Sequence, residues 1–419
     1  MLGGSRLWRH ADFLKLWAGQ TISVIGGAIT TLALPSLAIL QFHASALIVG
    51  LLLAIQRLPF LVLALFFGVL ADRVRRRPLM ILADAGRAIA LGSIPLAFAL
   101  HALSLTQVFI VALAMGIGEV VFDVSYLAYL PSLVGPADIT EGNNKLTSSF
   151  SIALLAGPGL GGVLIQVLGA AQAIGANAIS YVVSVLTLAW IRQPEPHPRP
   201  TGERQGVSRE LVEGIRLVFE HPLLRSQLAF MTTLSIAEQL AFPVYLIYFY
   251  RQLHLTPGEA GVIFAGFGVG ALAGSIVAAR AVRLLGLGRA MALGAAGTPM
   301  LMLSLPLALR LPPVPWLLFT FTISAIGLTV MDIQQVSLRQ GLTPDRLQGR
   351  MNATFRTVFW GSWTFANFAG GFLAQRIGAV PTFLIAAGLG VLPILIILGG
   401  PIGRLRTHPE AATDPAHAG

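Results

Sequence analysis

The stretch from Leu16 to Gln56, LWAGQTISVIGGAITTLALPSLAILQFHASALIVGLLLAIQ, contains no Asp, Glu, Lys or Arg in 41 residues. A membrane-spanning helix needs about 20 consecutive apolar residues, so this stretch is long enough for two crossings. The polar residues Gln41–Ser45 interrupt it and predict a turn between two helices. A second stretch, Leu146–Ile191, has 46 residues without a charge and is interrupted at Gly169–Gln172. It predicts a second helical hairpin.

The composition agrees with a chain that lies mostly in lipid. Only 11% of the 419 residues are charged and 55% are hydrophobic, whereas a soluble domain has roughly 25% charged residues. The mean hydropathy of +0.77 excludes a disordered chain. With no cysteine, scattered histidines and neither a phosphate loop nor a Gly-x-Ser-x-Gly elbow, the sequence predicts no enzyme, no metal site and no cofactor.

Charge-free stretches predict twelve spans in two sets of six, which makes this an all-α membrane protein. The N-terminal half is predicted over 1–191, a polar linker with a short amphipathic helix over 192–222, the C-terminal half over 223–406 and a disordered tail over 407–419. The predicted spans are 12–40, 45–71, 78–101, 106–132, 140–168, 172–191, 223–250, 257–280, 289–310, 314–339, 346–375 and 379–403.

The positions of the basic residues predict the orientation. If the N-terminus is inside, 22 of the 28 Lys and Arg residues lie in cytoplasmic segments, and only Arg251, Arg310 and Arg376 lie in or beside outer loops. The positive-inside rule therefore places both termini in the cytoplasm of a bacterial cell (inner) membrane and accounts for the net charge of +10 without nucleic acid. The expected partners are the lipid bilayer and a small-molecule substrate, and we expect a monomer.

The two halves contain matching segments. A shift of 209 residues aligns Gly161–Ala170 with Gly370–Ala379 at six identical positions of ten, and also aligns Asp123 with Asp332. A shift of 207 aligns Ala71–Arg76 with Ala278–Arg283. Parallel repeats of this kind predict a pseudo-two-fold axis along the membrane normal and a binding cavity between the halves near mid-bilayer.

Ionisable residues inside the predicted spans are rare, and each costs about 2.5 to 3.5 kcal/mol at the centre of a membrane helix, so each needs a partner or a function. Asp84 and Arg87 are three residues apart and can neutralise each other as an intramembrane ion pair. The other ionisable residues are Arg57, Glu119, Asp123, Glu238, Asp332 and Arg356.

Four acids are candidates for proton coupling. Glu119 and Asp123 are four residues apart on the fourth span, and two carboxylates so close in a low dielectric do not both ionise easily. Alternatively, Asp123 forms a salt bridge with Arg87 or Arg356. Asp332 mirrors Asp123 in the second half and has Arg356 as its candidate partner, and Glu238 lies near the middle of the seventh span.

The loop after the second span carries the strongest family marker. GVLADRVRRR, residues 68–77, resembles the loop signature of the major facilitator superfamily, except that Arg75 stands where Gly is usual. This basic-rich form of the loop signature resembles the form found in the branch of enterobactin, macrolide and multidrug exporters. The same branch is resembled by the segments 13–20 and 347–352. We expect Gly68, Asp72, Arg73, Arg76 and Arg77 to form a cytoplasmic gate that latches the outward-facing state, or else to enforce the topology alone.

The fifth span carries a second marker, GPGLGG at residues 157–162. It resembles the core of the signature of proton-antiporting exporters, so Gly157, Pro158, Gly161 and Gly162 are expected to act either mechanically or in close helix packing. An arginine that many drug antiporters have in the middle of the fourth span is absent from 111–130.

The resemblance implies that the first, fourth, seventh and tenth spans line a cavity and that substrate leaves in exchange for protons. In that arrangement Glu238 faces the cavity, where it holds a proton or a cationic substrate, or has a hydrogen-bonded structural role. Arg57 can offset Glu119 or bind an anionic substrate group. The expected cavity residues are Gln20, Arg57, Gln239, Tyr245 and Tyr248.

The favoured hypothesis is a secondary active exporter of amphipathic small molecules, such as a drug, an antibiotic or a siderophore, by proton antiport with alternating access. Protons are the coupling ion in this hypothesis. A lysophospholipid or lipid flippase, or an importer, is the alternative on the same scaffold. A transport-inactive sensor or scaffold is a further alternative from a different class.

Overall fold

The chain is helical throughout the part that the structure describes. The computed structural model describes residues 6–71, 74–135, 138–195 and 207–408, and these ranges contain no β-strand. Their α-helices are α1 (Ala11–Phe42), α2 (Ala46–Ala71), α3 (Arg76–Ala99), α4 (Leu105–Val134), α5 (Ile139–Leu168), α6 (Ala170–Ala189), α7 (Val207–Glu220), α8 (Pro222–Ile247), α9 (Pro257–Leu285), α10 (Leu287–Ala295), α11 (Gly297–Ser304), α12 (Pro313–Gly341), α13 (Asp345–Ile377) and α14 (Ala379–Gly399).

Eleven of the twelve predicted spans each correspond to one helix whose ends lie within five residues of the prediction, and the ninth corresponds to several consecutive helical segments. Eleven helical segments among the described residues are long and apolar enough to cross a membrane. The eleventh predicted span, α13, is 33 residues long but is not among them, because Gly, Ser, Thr, Asn and Trp dilute its apolar residues. The all-α membrane fold is confirmed, and a count of twelve spans is compatible with it.

The ninth predicted span is not one continuous helix. It consists of α10, α11 and a 3-10 turn at Leu305–Leu309. The helix breaks at Ala296, shortly before Pro299, and a proline has no N–H to donate to the preceding turn. The break places Thr298 at the start of α11.

The described helices form two compact units. Unit 1 comprises Met1–Ala44, Leu52–Thr201 and Leu255–Ala265, and unit 2 comprises Ser45–Leu51, Gly202–His254 and Gly266–Gly419. In unit 1, α1 packs against α5 and α6, and α3 packs against α4 and α6. In unit 2, α8 packs against α13 and α14, and α10 packs against α12 and α14. The repeat seen in the sequence therefore corresponds to the same helix pairing within each unit.

Glycines of the aligned repeat allow close helix crossings. In unit 1, a Cβ added to Gly162 would lie 2.6 Å from the Cα atom of Gly261 on α9. In unit 2, a Cβ added to Gly371 would lie 2.9 Å from the Cα atom of Gly50 on α2. Both distances are shorter than real Cβ contacts, so only glycine permits these backbone approaches. Gly162 and Gly371 are the residues that the 209-residue shift aligns.

The predicted amphipathic helix of the linker is α7. Val218 of α7 is fully buried in a cluster with Met351 and Phe355 of α13. Glu213 forms a salt bridge with Arg350 of the same helix, α13. The linker helix is thus held on unit 2 by an apolar face and the Glu213–Arg350 ion pair.

Candidate functional site

Arg57 and Glu119 form an ion pair inside unit 1. The Arg57 Nη1 atom lies 3.0 Å from Glu119 Oε1, and about a quarter to a third of each side chain is exposed. Gly116, one turn before Glu119, has no side chain to keep α4 away from the backbone of Gln56 on α2. The backbone approach therefore brings the acid to the arginine. Of the two roles predicted for Arg57, the structure shows the neutralisation of Glu119.

The predicted Asp84–Arg87 ion pair is present and buried. The Arg87 guanidinium binds Asp84 within α3, and the two side chains are 8% and 0% exposed. The guanidinium carbon also lies 4.8 Å from the ring centre of Phe122 and 4.4 Å from that of Tyr181. Gly118 makes room for the aliphatic part of Arg87, since a Cβ there would lie 2.6 Å from its Cγ. This cluster joins α3, α4 and α6.

Asp123 lies one turn from Glu119 on α4, as predicted. Its carboxylate and that of Glu119 both interact electrostatically with Arg87. Neither acid is therefore an isolated charge in unit 1. Proton coupling by the pair and a salt bridge from Asp123 to Arg87 or Arg356 both remain predictions.

Glu238 is held differently in unit 2. The hydroxyl of Thr298, on the broken helix segment α11, donates a 2.9 Å hydrogen bond to Glu238 Oε1. Within the described residues Glu238 takes part in no ion pair, so its partner is neutral. Thr298 was not among the predicted site residues, and the sequence signal that marks it is its position directly before Pro299, inside a predicted span.

Asp332 lies on α12 together with two polar residues of the same helix, Gln335 and Arg339, which follow it by one and two turns. Its predicted partner, Arg356, has its guanidinium carbon 4.5 Å from the ring centre of Trp360. The pairing of Asp332 with Arg356 remains a prediction.

The predicted cavity residues Tyr245, in α8, and Tyr248, directly after α8, are part of the packing of unit 2. Tyr245 is 6% exposed and its ring lies 5.6 Å from Phe321 and 5.8 Å from Phe383. Tyr248 is fully buried and donates a 2.8 Å hydrogen bond to the Leu305 carbonyl. In this conformation both rings are in an aromatic cluster without open surface, because α8 turns this face toward α12 and α14.

Two further residues of the predicted cavity are polar: Gln239, next to Glu238 on α8, and Gln20 on α1. Gln239 is partly buried and accepts a 3.1 Å hydrogen bond from Asn367 of α13. Gln20 is partly exposed on α1. Trp363, one turn before Asn367, donates a 2.6 Å hydrogen bond to Ser235. Glu238 therefore lies on a helix whose polar residues are fixed by α11 and α13.

The predicted cytoplasmic gate is only partly described. Asp72 and Arg73 lie outside the described residues, and Gly68 is within α2. Arg77 donates hydrogen bonds to the carbonyls of Leu188 and Ala189 at the end of α6. The latch remains a prediction.

Glu195, which follows α6, contacts the start of α3 beside this loop, and the sequence analysis missed it. Its two carboxylate oxygens accept hydrogen bonds of 2.7 and 3.0 Å from the backbone N–H groups of Arg76 and Arg77. These are orphan donors at the start of α3, where a negative charge is favourable. Only its position just after the sixth predicted span marks it in the sequence.

The helix-5 motif packs α5 against its neighbours in unit 1. Gly157 and Gly161 contact Ala28 and Ile29 of α1, while Gly162 faces Gly261. A Cβ on Gly261 would also lie 2.9 Å from the Pro158 carbonyl oxygen. The motif therefore has a packing role, and a mechanical role remains a prediction.

A comparison with known families assigns the chain. The model of the family described as transmembrane secretion effector matches residues 6–416, nearly the whole length. The chain belongs to this family of major facilitator transporters. The match confirms the resemblance to the major facilitator superfamily that the sequence analysis found. The family consists of membrane transporters and not of enzymes.

Two curated relatives of the chain are transporters named for their function. It is 27% identical to the multidrug efflux pump Tap of Mycolicibacterium fortuitum, over 92% of this chain and 93% of Tap. It is 25% identical to the enterobactin exporter EntS of Citrobacter koseri, over 98% of this chain and 97% of EntS. The similarity extends over both units in each case.

Solved structures show the same fold. The nucleoside transporter NupG, in a point-mutant form, superposes with a TM-score of 0.75 at 11% identity, covering 93% of this chain and 99% of NupG. A bacterial homologue of the iron transporter ferroportin, in an inward-facing state, gives 0.70 at 17% identity, covering 93% and 98%. At these identities the likeness establishes the fold alone.

Proposed function

We propose that this transporter exports amphipathic small molecules across the bacterial cytoplasmic membrane in exchange for protons. The family assignment makes it a multi-pass membrane transporter. Two relatives that match over nearly their whole length are named as an efflux pump and an exporter, which supports the outward direction. Neither relative fixes the substrate, since each is only about a quarter identical to this chain.

The observation that carries proton coupling is the contrast between the intramembrane acids. Glu119 has Arg57 at 3.0 Å and Asp84 has Arg87, so a cation stabilises each carboxylate in its charged form. Glu238 has the hydroxyl of Thr298 as its hydrogen-bond partner. An ionised carboxylate inside a membrane costs about 2.5 to 3.5 kcal/mol, and binding a proton removes that cost without a second side chain. We therefore assign proton carriage to Glu238.

The broken helix beside Glu238 supports this assignment. The hydroxyl of Thr298 donates to the carboxylate, and it can also accept from a protonated Glu238, because a hydroxyl is both a donor and an acceptor. Both protonation states of Glu238 therefore keep a hydrogen bond. A cationic substrate that binds the ionised carboxylate excludes the proton from it, and this competition is sufficient for exchange.

The test uses the purified chain in proteoliposomes with ethidium as an amphipathic cationic probe. A pH gradient should drive ethidium transport by the unchanged protein, and Glu238→Gln should reduce both this transport and ethidium counterflow without a gradient by about tenfold or more, because ethidium and the proton compete for the same carboxylate. The matched control is Glu220→Gln, an exposed acid of α7 that should leave both activities unchanged. Proton-driven transport that Glu238→Gln does not alter would exclude this acid as the carrier.

The same assay separates the remaining alternatives. Movement of a fluorescent lysophospholipid and not of ethidium would replace the drug-like substrate class by a lipid. Accumulation in the direction opposite to export would make the protein an importer, and movement of neither probe with any gradient would favour a sensor or scaffold.

A further inference from the structure

A groove of about 910 Å³ lies between the start of α1 and the end of α6 in unit 1. It is separate from the intramembrane acids and their arginine partners described above. The side chains at its wall are rich in basic groups, namely those of Arg9, His10, Asp12, Lys15, Trp190 and Arg192.

The single acid of the groove is already used by the protein. Asp12 accepts hydrogen bonds from the backbone N–H groups of Arg192 and Gln193 and forms a 2.6 Å ion pair with Lys15. The Lys15 ammonium also donates to the Trp190 carbonyl at 2.8 Å. An ammonium has three N–H donors, so one remains for a ligand.

The remaining basic groups are available to an anion. Among the described residues, Arg9 and Arg192 form no ion pair, and both side chains are exposed. The Nδ1 atom of His10 accepts a 3.1 Å hydrogen bond from the Phe13 backbone N–H, so a neutral His10 carries its proton on Nε2. The groove thus offers two guanidinium groups, an ammonium and an imidazole donor with no uncommitted carboxylate.

The surroundings of the groove indicate the membrane surface. The groove lies where one membrane-spanning helix begins and another ends, which is where a span meets the headgroup region. Trp190 is 64% exposed, and Trp8, which precedes α1, is 50% exposed. Exposed tryptophan at the end of a span is typical of the membrane–water interface.

We propose that this groove binds the phosphate of an anionic phospholipid headgroup. Guanidinium groups bind phosphate oxygens bidentately, and basic pockets at the ends of membrane helices bind anionic headgroups. The exposed indole of Trp190 lies beside the acyl chains while Arg9 and Arg192 bind the headgroup. This assignment does not depend on the proton coupling proposed for Glu238.

Native mass spectrometry of the full chain tests the proposal with phosphatidylglycerol and phosphatidylcholine of identical acyl chains. The unchanged protein should retain phosphatidylglycerol preferentially, and the double variant Arg9→Gln with Arg192→Gln should lose about tenfold or more of it. Arg404→Gln with Arg406→Gln is the matched control, because it removes the same charge from exposed arginines outside the groove. The control should retain the lipid as the unchanged protein does.

Three results would overturn the proposal. The first is equal retention of the two lipids by the unchanged protein, and the second is an equal loss in both double variants. The third is displacement of phosphatidylglycerol by millimolar inorganic phosphate, which would make the groove a site for a free anion.

If the groove double variant does not fold, the single variant Arg192→Gln takes its place and should lose part of the preference for phosphatidylglycerol. Unchanged retention by a folded Arg192→Gln would then contradict the proposal in the same way.

Discussion

The Arg87 guanidinium is a buried charge of unit 1. It contacts Asp84, which is 0% exposed, and lies between the rings of Phe122 and Tyr181. Such a pair contributes little net stability, because both charges have lost their hydration, but each charge strongly requires its partner. The cluster therefore fixes α3, α4 and α6 relative to one another.

Replacing Arg87 by Met should destabilise the protein strongly. The variant leaves Asp84 buried without a cation, which costs about 3 to 5 kcal/mol when one member of a buried pair is removed. Adding Asp84→Asn should recover much of the loss, since no charge then remains buried. Thermal unfolding of the purified protein in detergent measures both. A double variant that is less stable than Arg87→Met would show that the acid has another essential partner.

The Arg57–Glu119 pair makes a different prediction, because its members are on two helices. Arg57→Glu places two negative charges together and should abolish most transport activity. The exchanged variant, Arg57→Glu with Glu119→Arg, restores an ion pair and should recover transport substantially if neutralisation is the function of Arg57. Ethidium efflux from cells measures the recovery. No recovery, with normal amounts of protein in the membrane, would indicate that Arg57 itself binds substrate.

At the scale of helices, α5 shows how small residues set a crossing. Gly161 contacts α1 through Ile29, and the adjacent Gly162 approaches Gly261 of α9. In unit 2, Gly370 contacts Leu240 of α8, and Gly371 approaches Gly50 of α2. A pair of consecutive glycines in each repeat thus serves two neighbouring helices at once.

Gly162→Ala should force α5 and α9 apart. Its Cβ would lie 2.6 Å from the Gly261 Cα and the Pro257 carbonyl oxygen, both of them backbone atoms. Overpacking of this kind costs about 1 to 3 kcal/mol. The control is Gly159→Ala on the same helix, where the nearest atom, the Ala265 Cβ, is 3.4 Å away. Melting temperature and ethidium efflux should fall for the first variant alone, and equal effects would contradict the packing explanation.

At the scale of the whole molecule, the two repeats share their packing but not their charges. The 207-residue shift places Asp84 and Arg87 of unit 1 at the positions of Met291 and Gly294 of unit 2. Gly118 accommodates Arg87 in unit 1, whereas the corresponding Gly327 packs against Gly294 in unit 2. The buried ion pair therefore belongs to unit 1 alone, and unit 2 carries the acid with a neutral partner, Glu238.

The predicted topology can be mapped directly because the chain contains no cysteine. A single introduced cysteine is then the only thiol. Ala102→Cys and Arg310→Cys, in predicted outer loops, should react with a membrane-impermeant maleimide in intact cells. Arg75→Cys and Arg404→Cys should react only after lysis, because the positive-inside rule places them in the cytoplasm. Labelling of Arg404→Cys in intact cells would give an odd number of crossings and contradict the topology.

The sequence by itself determined the helices, the repeat and the family. A charge-free stretch such as Leu16–Gln56 can exist stably only as helix in lipid, because every backbone polar group must be satisfied within the segment. Helix ends were also predictable where glycine marks them, as at Gly169 and Gly378, which share a φ of +90° and are 209 residues apart. These properties depend on local sequence.

Only the tertiary structure decided which acids are neutralised by residues of another helix. The pair Arg57–Glu119 is 62 residues apart, and the capping of α3 by Glu195 joins residues more than 110 apart. Tyr245 and Tyr248, which the sequence analysis placed in a cavity, are buried in this conformation. Which side chain meets a carboxylate depends on the rotation and the crossing angles of the helices. Glycines elsewhere in the chain help to set this geometry through close helix contacts, and the sequence of a single helix does not show those contacts.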